Sequence, residues 1–135
     1  MGYTEIFCDG ASSGNPGNAG IGIVINLADG TPACRLSEYI GTATNNVAEY
    51  TAFIRALEEA RTLGIKRIKV FLDSELIVKQ INGLYKVKNI NLIPLWTRAN
   101  KLLSGVDGFT VSHIRRDMNS EADALARRAA KQKRT

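Results

Sequence analysis

Two apolar runs, EIFCD and VFLD, each halt at an aspartate followed by a small residue, Gly10 in one case and Ser74 in the other. Between them lie two more segments of β character and one long helical pattern, an order that restricts the fold more than any property of composition. YTEIFCD reads as a strand stopping at Asp9-Gly10. The turn-rich stretch SSGNPGNAG leads into a second strand, GIGIVINL. Ala28-Asp29-Gly30 is a hairpin turn that returns PACRLSEYIG antiparallel. A helix is expected from about Asn46 to Leu63, ended by Gly64. IKRIKVFLD is a fourth strand, and a further helix begins near Ser74. LYKVKNINLIP is irregular, and a helical pattern resumes from Leu95 to Leu103. GFTVSHI makes a fifth strand and SEADALARRAAKQ a C-terminal helix.

Three antiparallel strands followed by strand–helix alternation imply an α/β fold: a five-stranded mixed sheet with helices on both faces. Right-handed crossovers place strand four parallel to strand one, giving the order 3-2-1-4-5. The order reverses at strand one, and open α/β sheets carry their sites at the carboxyl ends of strands near such a reversal. With 135 residues, 44% of them hydrophobic, one domain spanning 1–135 is expected, with a basic tail from about 131.

In this order Asp9 and Asp73 finish neighbouring parallel strands at one edge. Glu49 lies one turn into the first helix, on the face of Ala52, Phe53, Ala56, Leu57 and Ala60, where an unpaired charge costs several kcal/mol. Asp123, in SEADALA, stands beside the apolar positions of the last helix. Each acid alone has a plainer reading. Asp9 and Asp73 suit strand-end turns, Asp123 the positive end of a helix, and Glu49 a capping or ion-paired role. Together they form a cluster whose members cannot all stay ionised unaided. Hard oxygen ligands without His or Cys suit Mg²⁺, with Mn²⁺ able to substitute.

The charge balance points the same way. Net charge is +5 and the sequence pI near 9.4. Setting the four acids aside leaves 18 basic against 9 acidic residues. An acidic, metal-loaded centre on a basic surface is what phosphodiester hydrolysis calls for, with two ions ~3.5–4 Å apart acting on the attacking water and the leaving oxygen. Arg115, Arg116, Arg127, Arg128, Lys131, Lys133 and Arg134 crowd the C-terminal end, where a solvated tail explains the last of them as well as phosphate contact does. No apolar run approaches the ~20 residues of a bilayer span, and MGYTEIFCDG has the form of neither a signal peptide nor a myristoylation site. Cys8 and Cys34 form no CxxC pair, so two buried thiols in a reducing cytoplasm are expected. Nothing in the sequence requires an assembly, and a monomer without membrane contact is expected.

DGASSGNPGNAGIG, TNNVAEYTA, FLDSELIVKQI and HIRRDMNSEADALA resemble, in order and spacing, the motifs of type 1 ribonuclease H, from about residue 3 to 131. The resemblance implies the ribonuclease H fold and metal-dependent cleavage of the RNA strand of RNA–DNA hybrids, leaving 5′-phosphate and 3′-hydroxyl ends. It places the catalytic, metal-holding acids on Asp9, Glu49, Asp73 and Asp123. It also implies minor-groove and 2′-hydroxyl contacts at Gly10, Ser12, Asn15, Asn45 and Asn46, and a DNA-strand phosphate contact at Thr44. A-like helices expose the 2′-OH in a wide minor groove, which separates RNA from DNA. The plainer readings are a tight turn at Gly14–Gly17 and a helix cap at Thr44 or Asn45.

The sequence departs from the family pattern in three places. His113 precedes Asp123 by ten residues, as does a family histidine assigned to proton transfer and product departure, but it abuts IRRDMN rather than a glycine-containing loop. That leaves catalysis and a fixed strand-end role both open, with Arg115 and Arg116 as nearer cations for a phosphate. Glu75 stands where a substrate-contacting Gln is frequent. The basic helix and loop that many members insert after the strand-four helix is missing, so Lys86, Lys88 and the C-terminal cations are left to hold the hybrid. Trp96 is expected to anchor the core.

Overall fold

The computed structural model describes residues 2–132; Lys133 and Arg134 of the expected basic tail lie outside them. The elements run β1 (Thr4–Ser12), β2 (Gly17–Asn26), β3 (Pro32–Ala43), α1 (Asn45–Thr62), β4 (Arg67–Leu72), α2 (Glu75–Ile81), α3 (Ile93–Leu103), β5 (Gly108–His113) and α4 (Ser120–Lys131). A short 3₁₀ turn, Arg116–Met118, precedes α4. The five strands form one sheet in the order β3-β2-β1-β4-β5. β1 pairs antiparallel with β2 and parallel with β4, and β4 pairs parallel with β5. This is the expected topology.

Element ends differ from expectation by a few residues, most consequentially at β1. β1 does not stop at Asp9 but continues to Ser12, because pairing with β2 persists through Asp9↔Gly22, Ala11↔Gly20 and Ser12↔Ala19. The loop shrinks to a hairpin tip at Ser13–Pro16, closed by the Ser13 amide on the Asn18 carbonyl (2.8 Å), with a cis Asn15–Pro16 peptide. Asp9 is therefore a strand residue whose direction is set by the pleat.

That direction matters because helices cover both faces. Cross-strand partners point the same way, so Asp9 shares a face with Gly22, and α4 lies over β1, β2 and β3 on that side. A Cβ on Gly22 would lie 2.1 Å from the Ala122 carbonyl oxygen, so α4 rests directly on strand backbone. On the opposite face, a Cβ on Gly10 would meet the Ala48 carbonyl carbon at 2.2 Å and the Glu49 nitrogen at 2.5 Å. The first turn of α1 thus crosses β1 at Gly10. Two glycines set how closely both acid-bearing helices approach the strand that carries Asp9.

The core lies chiefly between the sheet and α1, α2 and α3, built from Ile6, Cys8, Ile21, Ile23, Val70 and Leu72 against Tyr50, Phe53, Ala56 and Leu57. Trp96 packs against it, half-buried, and donates its indole N–H to the Gln80 carbonyl (3.3 Å). Tyr50 is fully buried and its hydroxyl donates to Gln80 Oε1 (2.6 Å). Among the described residues no helix is long and apolar enough to cross a membrane. Cys8 is buried and Cys34 half-buried, both as free thiols.

Candidate active site

Asp9 is 7% exposed on β1. Asp73 follows the last residue of β4, and continuing the register Phe7↔Phe71 sets it level with Asp9. Asp123 lies in the first turn of α4, next to the Ala122 that touches Gly22. Glu49 is held by the crossing of α1 at Gly10. Four separate elements therefore bring the four acids to one edge of the sheet.

The electrostatics record that gathering. Burial pushes the Asp9 carboxyl far above the usual carboxylate range, reinforced by a hydrogen bond with Asp123 and by the charges of Asp73, Asp123 and Glu49. Burial lifts Glu49 to about 7; the Ser74 hydroxyl and Arg116 oppose the shift, while Asp73 adds to it. Glu49 Oε2 is buried without a hydrogen-bond partner. The Cys8 thiol rises too, first by burial and then by the fields of Asp9, Asp73 and Glu49. An acidic cluster with an orphaned oxygen is under-neutralised, and a cation is the natural complement.

The donor chemistry fits a hard divalent ion: carboxylate oxygens from four acids, no thiolate or imidazole among them, and one oxygen without a partner. The protein's own contacts engage these groups instead. Arg127 Nε lies 3.1 Å from Asp123 Oδ2. Accordingly, among the described residues no three Asp, Glu, His or Cys side chains are already gathered in an arrangement that would hold a metal.

A cavity of about 460 Å³ opens over this edge, lined by Asp9, Glu49 and Asp123 together with Ser12, Arg116 and Arg127. Asp73 is not part of its wall; Asn119 ties it in from behind. Asn119 is 1% exposed, and its Nδ2 donates to Asp73 Oδ2 (3.1 Å) and to the Cys8 carbonyl (3.1 Å). It thereby links α4, β4 and β1. Sequence reading missed this residue: the Asn just before SEADALA stands at the helix cap position, but its side chain makes no capping hydrogen bond and turns to the strands instead.

The residues expected at the substrate separate into two groups. Gly10, Ser12 and Asn45 border the acid cavity, whereas Asn15, Thr44, Asn45 and Asn46 line an adjoining cavity of about 400 Å³. Asn89 and Asn91, from the connection between α2 and α3, complete the second cavity and were not singled out from sequence. Thr44 caps α1, accepting from the Val47 amide (3.2 Å), and Asn15 Oδ1 accepts from the Asn45 amide (3.1 Å). Ser12 donates to the carbonyls of Ala43 (2.8 Å) and Gly14. The plainer capping and turn roles are thus real, and they pin the two loops to each other.

His113 ends β5 opposite Leu72 and is exposed; it is not among the residues lining the acid cavity. Glu75 is exposed and pairs with Lys79 (2.7 Å). Arg116, Arg127 and Lys131 all line the cavity, and of these Arg116 stabilises ionised Glu49. Residues 82–92 join α2 to α3 with no helix between them, and Lys86 and Lys88 are exposed there.

Residues 7–129 match the family model described as reverse transcriptase-like. Ribonuclease HI of Helicobacter pylori is 31% identical, over 96% of this chain and 94% of its own length. Ribonuclease HI of Halobacterium salinarum is 41% identical over 95% of this chain, which spans 64% of that protein; a 42% identical bifunctional protein of Mycobacterium tuberculosis is spanned for only 34% of its length. The crystal structure of the Halobacterium enzyme superposes with a TM-score of 0.94 at 40% identity, covering 98% of this chain and 100% of that one. A compost-derived RNase H1 solved in complex with an RNA/DNA hybrid gives 0.89 at 40% identity, covering 96% and 97%.

Proposed function

This chain belongs to the ribonuclease HI-like family, and from that membership and its acid cluster we infer a metal-dependent endoribonuclease that hydrolyses the RNA strand of RNA–DNA hybrids. The observation that carries the reading is the meeting of Asp9, Glu49, Asp73 and Asp123 from four elements, with Glu49 Oε2 buried and unpartnered. The four carboxylates would hold two Mg²⁺ ions, with Mn²⁺ as a substitute. Bound there, the ions would make an attacking water more acidic and offset negative charge developing in the transition state. The products carry 5′-phosphate and 3′-hydroxyl ends.

The chain's own residues do the rest. Arg116, on the cavity wall beside Glu49, meets the negative charge of the scissile phosphate. Asn119 holds Asp73 in place by a part-buried hydrogen bond. Ser12, Asn15, Asn45 and Asn46 face the minor groove, where the 2′-OH identifies the RNA strand. Asn89 and Asn91 extend that polar surface beside Thr44, which takes a phosphate of the DNA strand. The hybrid found bound to the compost-derived RNase H1 supports this choice of substrate.

Asp73→Asn tests the site: Mg²⁺-dependent cleavage of a hybrid should vanish while the circular-dichroism spectrum stays native. Retained cleavage sinks the assignment of the acids. Matched hybrid, RNA duplex and DNA duplex test the substrate, and equal cutting of all three removes the hybrid preference.

A further inference from the structure

At the opposite edge of the sheet a groove of about 320 Å³ lies between the C-terminal ends of α1 and α3 and the segments entering β4 and β5. Lys66 enters β4 and Asp73 leaves it, and six strand residues at ~3.3 Å each put the groove on the order of 20 Å from the acids. Its floor is apolar, from Leu57, Ile65, Leu102 and Val106; its rim carries Arg61, Lys66, Arg98 and Lys101. Of these four cations, only Arg98 has a carboxylate partner among the described residues, Glu58 at 3.2 Å.

Cations at helix C-termini commonly serve the exposed carbonyls, and Arg61 and Lys101 sit in the last turns of α1 and α3. Those carbonyls already have other donors here. The Gly64 amide bonds the Arg61 carbonyl and the Ile65 amide that of Ala60. The Gly105 amide bonds the Leu102 carbonyl, and the Ser104 hydroxyl that of Lys101. Lys66 and Arg98, moreover, belong to no helix end. Three cations unpaired among the described residues, with Arg98 beside its Glu58, rim a concave apolar floor.

We propose that this groove docks an acidic peptide segment that carries a large apolar side chain, supplied by a partner protein. Charge complementarity selects the acids, and the floor takes the apolar anchor at the lower end of ligand-pocket volumes, roughly 300 Å³. A nucleic acid is the poorer fit. Single-strand sites stack bases on aromatic side chains, and none lines the groove. Docking at this edge leaves the acid edge open to its own substrate.

The test is fluorescence anisotropy with a labelled peptide, Asp-Glu-Asp-Asp-Leu-Phe, against the full chain. Saturable binding is expected that weakens as salt rises. Arg61→Glu and Lys101→Glu should each lower affinity about tenfold, with hybrid cleavage and the thermal melt of both variants unchanged. Replacing Leu-Phe by Ser-Ser should lower affinity by a factor of ten or more, as loss of a buried apolar side chain implies. Absence of binding, equal binding by the Ser-Ser peptide, or equal binding by the charge-reversed variants overturns the proposal. Displacement of the peptide by a single-stranded RNA oligomer, lost in Lys101→Glu, reassigns the groove to nucleic acid.

Discussion

Replacing Gly22 by alanine separates the geometry of the site from its chemistry. The added methyl would lie 2.1 Å from the Ala122 carbonyl oxygen and 2.7 Å from the Ala126 nitrogen, both helix backbone with no freedom to rotate away. Relief requires α4 to lift by about 1 Å, given ordinary carbon–oxygen contacts of roughly 3.3 Å and some give in the sheet. Overpacking of this kind costs about 1–3 kcal/mol. Asp123 rides on the same turn, so it lifts away from Asp9. A displacement of ~1 Å in reacting groups is worth about 10²-fold in rate. The expected result is a folded variant with a modestly lowered urea midpoint and a 10- to 100-fold lower kcat, on the order of the figures just given. Gly30→Ala is the control: φ is +89° with nothing within 4 Å of the new methyl, so it should cost about 1–2 kcal/mol through backbone strain and leave kcat alone. Wild-type kcat in Gly22→Ala, measured well below its melting temperature, would refute the claim that close helix–strand approach positions Asp123.

Further outcomes follow from the same contacts. In chelated buffer the protein should lose stability as pH rises. Glu49 titrates near 7 in the fold against 4.5 when free, so its contribution is complete below pH 4.5 and lost through 7. At about 1.4 kcal/mol per pH unit this is about 3 kcal/mol; urea melts at pH 5 and 8 should show the fall, Glu49→Gln should remove that share while the raised Asp9 carboxyl keeps the remainder, and a rising profile would contradict the sign. Asn119→Ala removes two hydrogen bonds from a buried position and should cost about 1–3 kcal/mol, with kcat lowered more than KM is raised because Asp73 loses its tether. Arg116→Ala should reduce kcat by at least tenfold, in the range set by loss of one charge-stabilising donor, about 10²–10³. His113→Ala should stay within about threefold of wild type, since single surface groups away from the reacting atoms contribute little. The reverse order would return the phosphate-facing role to the histidine.

Strand order and the four acids could be read from the sequence because both rest on periodicity and chain direction. A run such as IKVFLD announces a buried parallel strand, and right-handed crossover leaves one place for it, so Asp73 had to finish beside Asp9. Glu49 was legible as a conflict, an acid on an apolar helical face. What escaped was set by contacts between distant segments. Asp9 looked like a strand terminus because Gly10 follows it, yet β1 continues through Gly10, whose missing side chain makes room for α1 rather than for a turn. Asn89 and Asn91 sit in an irregular stretch whose course depends on where α2 ends. Asn119 carries no local pattern that distinguishes a cap from a buried tether to two strands.

The division between Arg116 and His113 has the same origin. Spacing to Asp123 matched the histidine to a family position, but β5 keeps its register with β4 up to Leu72↔His113, and that side chain does not line the acid cavity. The chain then turns through Arg116–Met118, carrying Arg116 to the cavity wall before α4 begins. A glycine-rich loop between strand and helix would let a histidine swing over the acids. Here the connection is short and internally bonded, Met118 amide to Arg115 carbonyl (2.9 Å) and Asn119 amide to Arg116 carbonyl (3.0 Å). The cation is delivered by a fixed turn, so its contribution should depend on charge and position and be insensitive to the pH range in which a histidine titrates.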